Sequence, residues 1–131
     1  MIRRLSLVAV LALAGCASDT EITGGTPLAL DGVWTGTAQR TQGGERTCPG
    51  PTPFVLTITN NVVRGEVRDR RNPTVTVARF DAVVDADGRV TARAWYDSIS
   101  NDLALEYNGS RITGRITNPV ECMFYLRLSR G

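Results

Sequence analysis

Few side chains in this sequence could perform chemistry. The 131 residues include no histidine, which excludes Ser-His and Cys-His catalysis and ordinary histidine metal sites. The sequence also lacks a phosphate-binding glycine loop and a Cys-x-x-Cys motif. Carboxylates alone can cleave glycosidic bonds, but Asp85, Asp87 and Asp97 lie at predicted turns or strand ends, where carboxylates are common. We therefore predict no enzyme, no cofactor and no metal site, with carboxylate catalysis as the least favoured alternative.

The first of the three cysteines follows a short apolar segment. Arg3 and Arg4 precede residues 5–14, which are uncharged and mostly apolar. This segment is too short to cross ~30 Å of hydrocarbon as a helix, but it is typical of the apolar region of a signal peptide. The residues that follow complete the motif Leu13-Ala14-Gly15-Cys16, which resembles the lipobox of bacterial lipoproteins.

The lipobox resemblance implies that a signal peptide of residues 1–15 is removed and that the Cys16 thiol is acylated, for example with palmitate. Several acyl chains hold a protein on a bilayer where one chain does not. Ala17, rather than Asp, follows Cys16, and this favours the periplasmic side of the outer membrane. The inner membrane, the cell surface and an ordinary secretory signal with an incidental cysteine are the alternatives.

The rest of the chain divides into a tether and one domain. Residues 16–30 comprise the lipidated cysteine and a mostly small and polar segment, which predicts a flexible tether, and residues 31–131 suffice for one domain. Two of the fifteen basic residues, all arginines, lie in the signal segment, so thirteen remain against thirteen acidic residues. A formally neutral domain argues against a nucleic-acid partner.

Residues 31–131 show the period-two pattern of β-strands and no helical periodicity. Strands with small central residues alternate with bulkier ones. The inward positions of the first kind are Trp34/Gly36/Ala38, Val63/Gly65/Val67, Val90/Ala92/Ala94 and Ile112/Gly114/Ile116. Those of the second kind are Phe54/Leu56/Ile58, Phe80/Ala82/Val84, Leu103/Leu105/Tyr107 and Phe124/Leu126/Leu128. This alternation predicts an all-β, eight-stranded, antiparallel up-and-down barrel, with a two-sheet sandwich as the alternative.

The connections between the predicted strands separate into two ends of the barrel. Short turns at residues 60–61, 85–88 and 108–110 share one end. Longer connections share the other end and span residues 41–53, 69–73, 97–102 and 117–121. Because the last strand of a closed barrel lies beside the first, Cys48 and Cys122 become neighbours, and we predict one disulfide between them; two free thiols are the alternative.

The start of the first strand, Gly32-Val33-Trp34, resembles the Gly-x-Trp motif of the lipocalin and avidin group. In many members of that group an arginine of the last strand packs across the tryptophan, and Arg130 has the matching position. The resemblance therefore implies structural roles for Gly32, Trp34 and Arg130. The chain lacks the length and C-terminal helix of a full lipocalin, so the resemblance implies the fold and no ligand.

Two groups of side chains are candidates for ligand binding. Trp34, Tyr96 and Tyr107 are polar groups among the apolar inward residues, and the small inward residues leave open whether the interior is filled or hollow. The candidates in the longer connections are Arg46, Arg70 and Arg71, because arginine binds carboxylate and phosphate. We therefore expect a membrane-anchored binding or accessory module for a small apolar ligand. The alternative is a protein-interaction or protease-inhibitor-like barrel that uses its loops and the outward aromatics Trp95 and Tyr125.

Overall fold

The computed structural model describes residues 30–131, which form eight antiparallel strands. Cys16, the predicted signal peptide and all of the predicted tether except Leu30 lie outside the described residues. The strands are β1 (Gly32–Gln42), β2 (Thr52–Thr59), β3 (Val62–Arg68), β4 (Thr76–Val83), β5 (Arg89–Tyr96), β6 (Ile99–Tyr107), β7 (Arg111–Thr117) and β8 (Met123–Arg130).

The strands form one sheet in the order β4-β3-β2-β1-β8-β7-β6-β5, which curls into a nearly closed barrel. The last strand pairs with the first, so that Trp34 lies opposite Arg130. The predicted all-β, eight-stranded up-and-down barrel is therefore confirmed. The two edge strands, β4 and β5, lie side by side, but the only backbone pairing between them is an isolated bridge between Val84 and Val90. We call this incompletely paired junction the seam.

The predicted inward residues line the interior. The bulky residues of β2, β6 and β8 are buried, as the period-two pattern predicts, except that Tyr107 is half-buried. The small residues leave space for side chains from neighbouring strands, and Gly65 is an example. It lies opposite Phe80 on β4, and a Cβ atom at Gly65 would overlap the Phe80 ring. The alternation of small and bulky strands therefore lets side chains from one strand fill the space left by the next.

One end of the barrel, which we call the closed end, is filled by side chains. The tight turns after β2, β4 and β6 lie here, and Asn60 and Asn61 adopt positive φ angles of 50° and 64°. Trp34 is buried near the start of β1. Leu30, which falls within the predicted tether, is only 1% exposed and belongs to the core. Leu30 therefore packs as part of the barrel core.

The opposite end, which we call the mouth, carries the disulfide. Cys48 follows β1 and Cys122 precedes β8, and their Cα atoms lie 5.6 Å apart in a disulfide, as predicted. Both residues are buried. The disulfide therefore connects the β1–β2 loop to the β7–β8 loop at the mouth.

One predicted connection at the mouth is wrong. The sequence predicts a longer loop at residues 97–102, but β6 already begins at Ile99 after a tight turn of Asp97 and Ser98, whose φ angles are 49° and 63°. The first residues of β6 are mostly polar, so the hydrophobic pattern of the sequence did not indicate a strand there. Asn101 is accommodated there because its amide donates to the carbonyl oxygens of Ala94 (3.4 Å) and Ile99 (3.1 Å).

Candidate functional site

A cavity of about 320 Å³ lies at the mouth of the barrel. This volume is at the lower end of the range of roughly 300–1,000 Å³ that is typical of small-molecule sites. Its lining is apolar on the side of the barrel core, where the residues are Phe54, Leu103, Ile116 and Phe124. The interior is therefore filled at the closed end and hollow at the mouth.

The seam contributes one side of the cavity. Val77 comes from β4, and Ala94 and Tyr96 come from β5. Strands β4 and β5 form no ladder with each other, and their single bridge lies near the closed end, away from these three residues. Ala38 of β1 also lines the cavity, and its small side chain leaves room that a larger residue would occupy. The cavity therefore occupies the side of the mouth where the two edge strands lie unpaired.

The end of β3 and the β3–β4 loop together bring four charged residues to the rim of the cavity, at positions 68–71. Arg68 is committed to an ion pair, because its Nη2 atom donates to Glu66 at 2.6 Å and its Nη1 atom donates to the Pro73 carbonyl oxygen at 3.1 Å. The hydrogen bond from Arg68 lowers the pKa of Glu66 below its usual 4.5. The charge of Arg68 is therefore largely balanced by Glu66.

Asp69 is the only carboxylate that lines the cavity within residues 30–131. Its Oδ1 atom accepts hydrogen bonds from the backbone N–H groups of Arg71 (2.8 Å) and Asn72 (2.9 Å). The bond from Asn72, followed by that from Arg71, lowers the pKa of Asp69. Asp69 thus shapes the turn of its own loop, as Asx side chains commonly do.

The structure separates the six candidate ligand-binding residues. Tyr96, Arg70 and Arg71 line the cavity. Trp34 and Tyr107 pack edge to face at the closed end, with ring centres 5.9 Å apart. Arg46 is exposed in the β1–β2 loop and does not line the cavity.

The polar atoms of the two closed-end aromatics are already paired. Trp34 Nε1 donates to the Leu30 carbonyl oxygen at 2.9 Å, and the Tyr107 hydroxyl donates to the Gly109 carbonyl oxygen at 2.8 Å. Arg130 lies over the Trp34 ring, 4.5 Å from its centre. The contact implied by the Gly-x-Trp resemblance is therefore present, and these groups stabilise the closed end.

The candidates predicted from the sequence omit four polar residues that line the cavity: Thr52, Arg68, Asp69 and Asn101. Arg68 is the last residue of β3, and Asn101 falls within residues 97–102, which the sequence predicts as a connection and the structure shows to be mostly strand. The alternation of Asn101 with Leu103 and Leu105 was the available signal, because all three lie two residues apart on β6.

The outward aromatics lie where their parity predicts. Trp95 on β5 is 61% exposed and Tyr125 on β8 is 37% exposed. Strands β6 and β7 lie between them in the sheet. The two residues therefore do not form one contiguous aromatic surface.

Comparison with known proteins supports the architecture. No protein-family model matches the sequence, and a search of curated proteins found no similar sequence. A solved structure of a redesigned beta barrel matches 78% of this chain and 91% of its own length, with a TM-score of 0.57 and 10% sequence identity. Within residues 30–131 no helix is long and apolar enough to cross a membrane. At this level of identity the match shows the fold alone: the chain folds as an eight-stranded β-barrel.

Proposed function

We propose that the protein is a binding module that takes a small, largely apolar ligand into the mouth cavity, without a catalytic role. The observation that carries this proposal is the cavity itself, which has an apolar floor and a polar rim. Small-molecule sites commonly combine these two features. The filled closed end supports the same view, because it gives the cavity a packed base.

We further propose that Cys16 is lipidated and anchors the domain to the periplasmic face of the outer membrane. The motif Leu13-Ala14-Gly15-Cys16 and the preceding apolar segment support this location. The chain enters β1 at the closed end. An anchor at Cys16 would therefore leave the mouth directed away from the membrane and accessible to a ligand.

Native mass spectrometry tests the binding role. The whole mature chain would be secreted with Cys16→Ser behind a cleavable signal and purified without detergent. A bound mass that leaves on unfolding is expected. Ala94→Phe should abolish this mass by filling the cavity, whereas Ala104→Phe, at an exposed position on β6, should retain it. Loss of the ligand from both variants, or from neither, would contradict the proposed site.

Cell fractionation tests the anchor. The lipidated protein should sediment with outer membranes, and the Cys16→Ser form secreted behind a cleavable signal should appear in the soluble periplasmic fraction. A Cys48→Ser variant that retains Cys16 provides the control for cysteine loss and should still sediment. If the Cys16→Ser form also sediments with membranes, lipidation is not the anchor.

A protein partner is the second candidate, and the exposure of Trp95 favours it. This alternative predicts that the cavity is dispensable. A purified partner should then bind Ala94→Phe as well as the wild type, and Trp95→Ser should weaken binding while Tyr125→Ser should not.

A further inference from the structure

We propose that the ligand is a single-chain amphiphile with an anionic head, that Arg70 binds the head and that the apolar chain lies in the cavity. This inference rests on the proposed binding role and adds the chemical class of the ligand. It concerns one side chain whose position over Gly50 distinguishes it from the other charged residues of the rim.

Arg70 reaches across the mouth from one loop to another. It belongs to the β3–β4 loop, yet its guanidinium lies over Gly50 of the β1–β2 loop. A methyl group at Gly50 would be 2.8 Å from one guanidinium nitrogen of Arg70. The guanidinium can occupy this position because Gly50 has no side chain. Arg70 therefore lies beside the opening of the cavity that it lines.

The guanidinium of Arg70 forms no ion pair or hydrogen bond with any residue in the range 30–131. The rim carboxylate, Asp69, interacts electrostatically with both Arg71 and Arg70, in addition to its hydrogen bonds from the backbone of Asn72 and Arg71. Glu66 is bound to Arg68. Arg71 adds a second cation. Three arginines, Arg68, Arg70 and Arg71, therefore stand against two carboxylates, and the rim keeps a net positive charge.

The charge and the apolar floor together select the ligand class. An anionic head near Arg70 would gain a charge-assisted hydrogen bond from a planar, multidentate donor. The apolar part of the same molecule would be buried against Phe54, Leu103 and Phe124. A cationic head would be repelled at the rim. The small volume, about 320 Å³, favours one chain over a bulky polycyclic ligand.

Isothermal titration calorimetry with four probes that share one alkyl chain tests the inference. The probes are decanoate, decyl phosphate, decanol and decyltrimethylammonium, added to the whole mature chain secreted with Cys16→Ser and cleared of co-purified ligand. Decanoate or decyl phosphate should bind about fivefold more tightly than decanol, as expected for a solvent-exposed ion pair. Decyltrimethylammonium should bind more weakly than decanol, and the preferred anion identifies a carboxylate or a phosphate head.

Three variants assign the effect to Arg70. Arg70→Gln should reduce the affinity for the anion to that for decanol and leave the affinity for decanol unchanged. Gly50→Ala should also weaken anion binding, because it displaces the guanidinium without changing any charge. Arg111→Gln removes the same charge at the closed end and should change nothing.

The outcomes separate the two proposals. If decanol binds as tightly as the anions, or if Arg111→Gln weakens anion binding as much as Arg70→Gln does, the head-group inference is wrong while the binding role stands. If none of the probes binds, and native mass spectrometry finds no ligand, both are wrong.

Discussion

The guanidinium carbon of Arg130 lies 4.5 Å from the centre of the Trp34 ring, and the two residues are direct partners in the pairing of β1 with β8. The contact covers a tryptophan that is only 1% exposed. We predict that Arg130→Met lowers the free energy of unfolding by about 1 kcal/mol, the usual size of a cation–π contact. Urea unfolding followed by circular dichroism measures this. Arg127→Met, at an exposed position on the same strand, is the control, and an equal loss there would contradict the assignment.

The disulfide should contribute more to stability than any single contact at the closed end. Cys48 and Cys122 are separated by 74 positions in the sequence, so the chain-entropy model gives a contribution of about 4 kcal/mol. The double variant Cys48→Ala/Cys122→Ala should lose roughly this amount relative to the oxidised protein. A reductant should destabilise the wild type and leave the double variant unaffected. A similar response of both proteins would show that the disulfide is not the cause.

Gly114 is expected to tolerate no side chain. A Cβ atom there would overlap the backbone carbonyl oxygen of Ala104 on the neighbouring strand, which a rotamer change cannot relieve. Gly114→Ala should therefore lower the free energy of unfolding by about 1–3 kcal/mol or more, as overpacking does. Gly44→Ala is the matched control, because the nearest atom to its Cβ is Thr47 Oγ1 at 3.6 Å. Thermal unfolding of both variants should show a loss for Gly114→Ala alone.

The ion pair between Glu66 and Arg68 should make stability depend on pH. The hydrogen bond from Arg68 lowers the pKa of Glu66 in the folded protein below the ordinary 4.5. A lowered pKa stabilises the fold above pH 4.5, and this contribution is lost as the pH falls through the folded-state value. Glu66→Gln should cost about 1 kcal/mol at neutral pH and progressively less in acid.

Urea unfolding of wild type and Glu66→Gln over a pH series measures this difference. The same substitution in an Arg68→Gln background is the control, and there the pH-dependent difference should shrink. A difference between wild type and Glu66→Gln that stays constant from neutral pH to well below 4.5 would contradict the role of this pair.

The barrel and its disulfide could be predicted because local patterns specify them. The period of two fixes which residues point inward, and the closure of eight strands places Cys48 near Cys122. The start of β6 could not be predicted from polarity. Asn101 is stable there through hydrogen bonds to Ala94 and Ile99, partners that become visible only in the folded sheet.

The cavity was beyond sequence reasoning for a different reason. Seven small inward residues were compatible with either a filled or a hollow barrel, and the outcome depends on how β4 and β5 meet. The position of Arg70 was also unpredictable, because nothing in the sequence distinguishes Arg70 from Arg46 or Arg71. Its contact with Gly50 depends on how two loops far apart in sequence meet at the mouth.

The position of the seam has a consequence for how the chain reaches its fold. The first and last strands, β1 and β8, pair in the middle of the sheet, where the Gly131 N–H also donates to the Val33 carbonyl oxygen at 2.8 Å. The sheet is interrupted instead between β4 and β5. In a circular permutant that joins Gly131 to Leu30 and opens the Asp85–Gly88 turn, every strand ladder would join neighbours in sequence, and only the Val84–Val90 bridge would connect the two ends. Its contact order would be lower, so we expect it to fold faster than the protein with the natural strand order, in which β1 pairs with β8, the strand most distant from it in sequence.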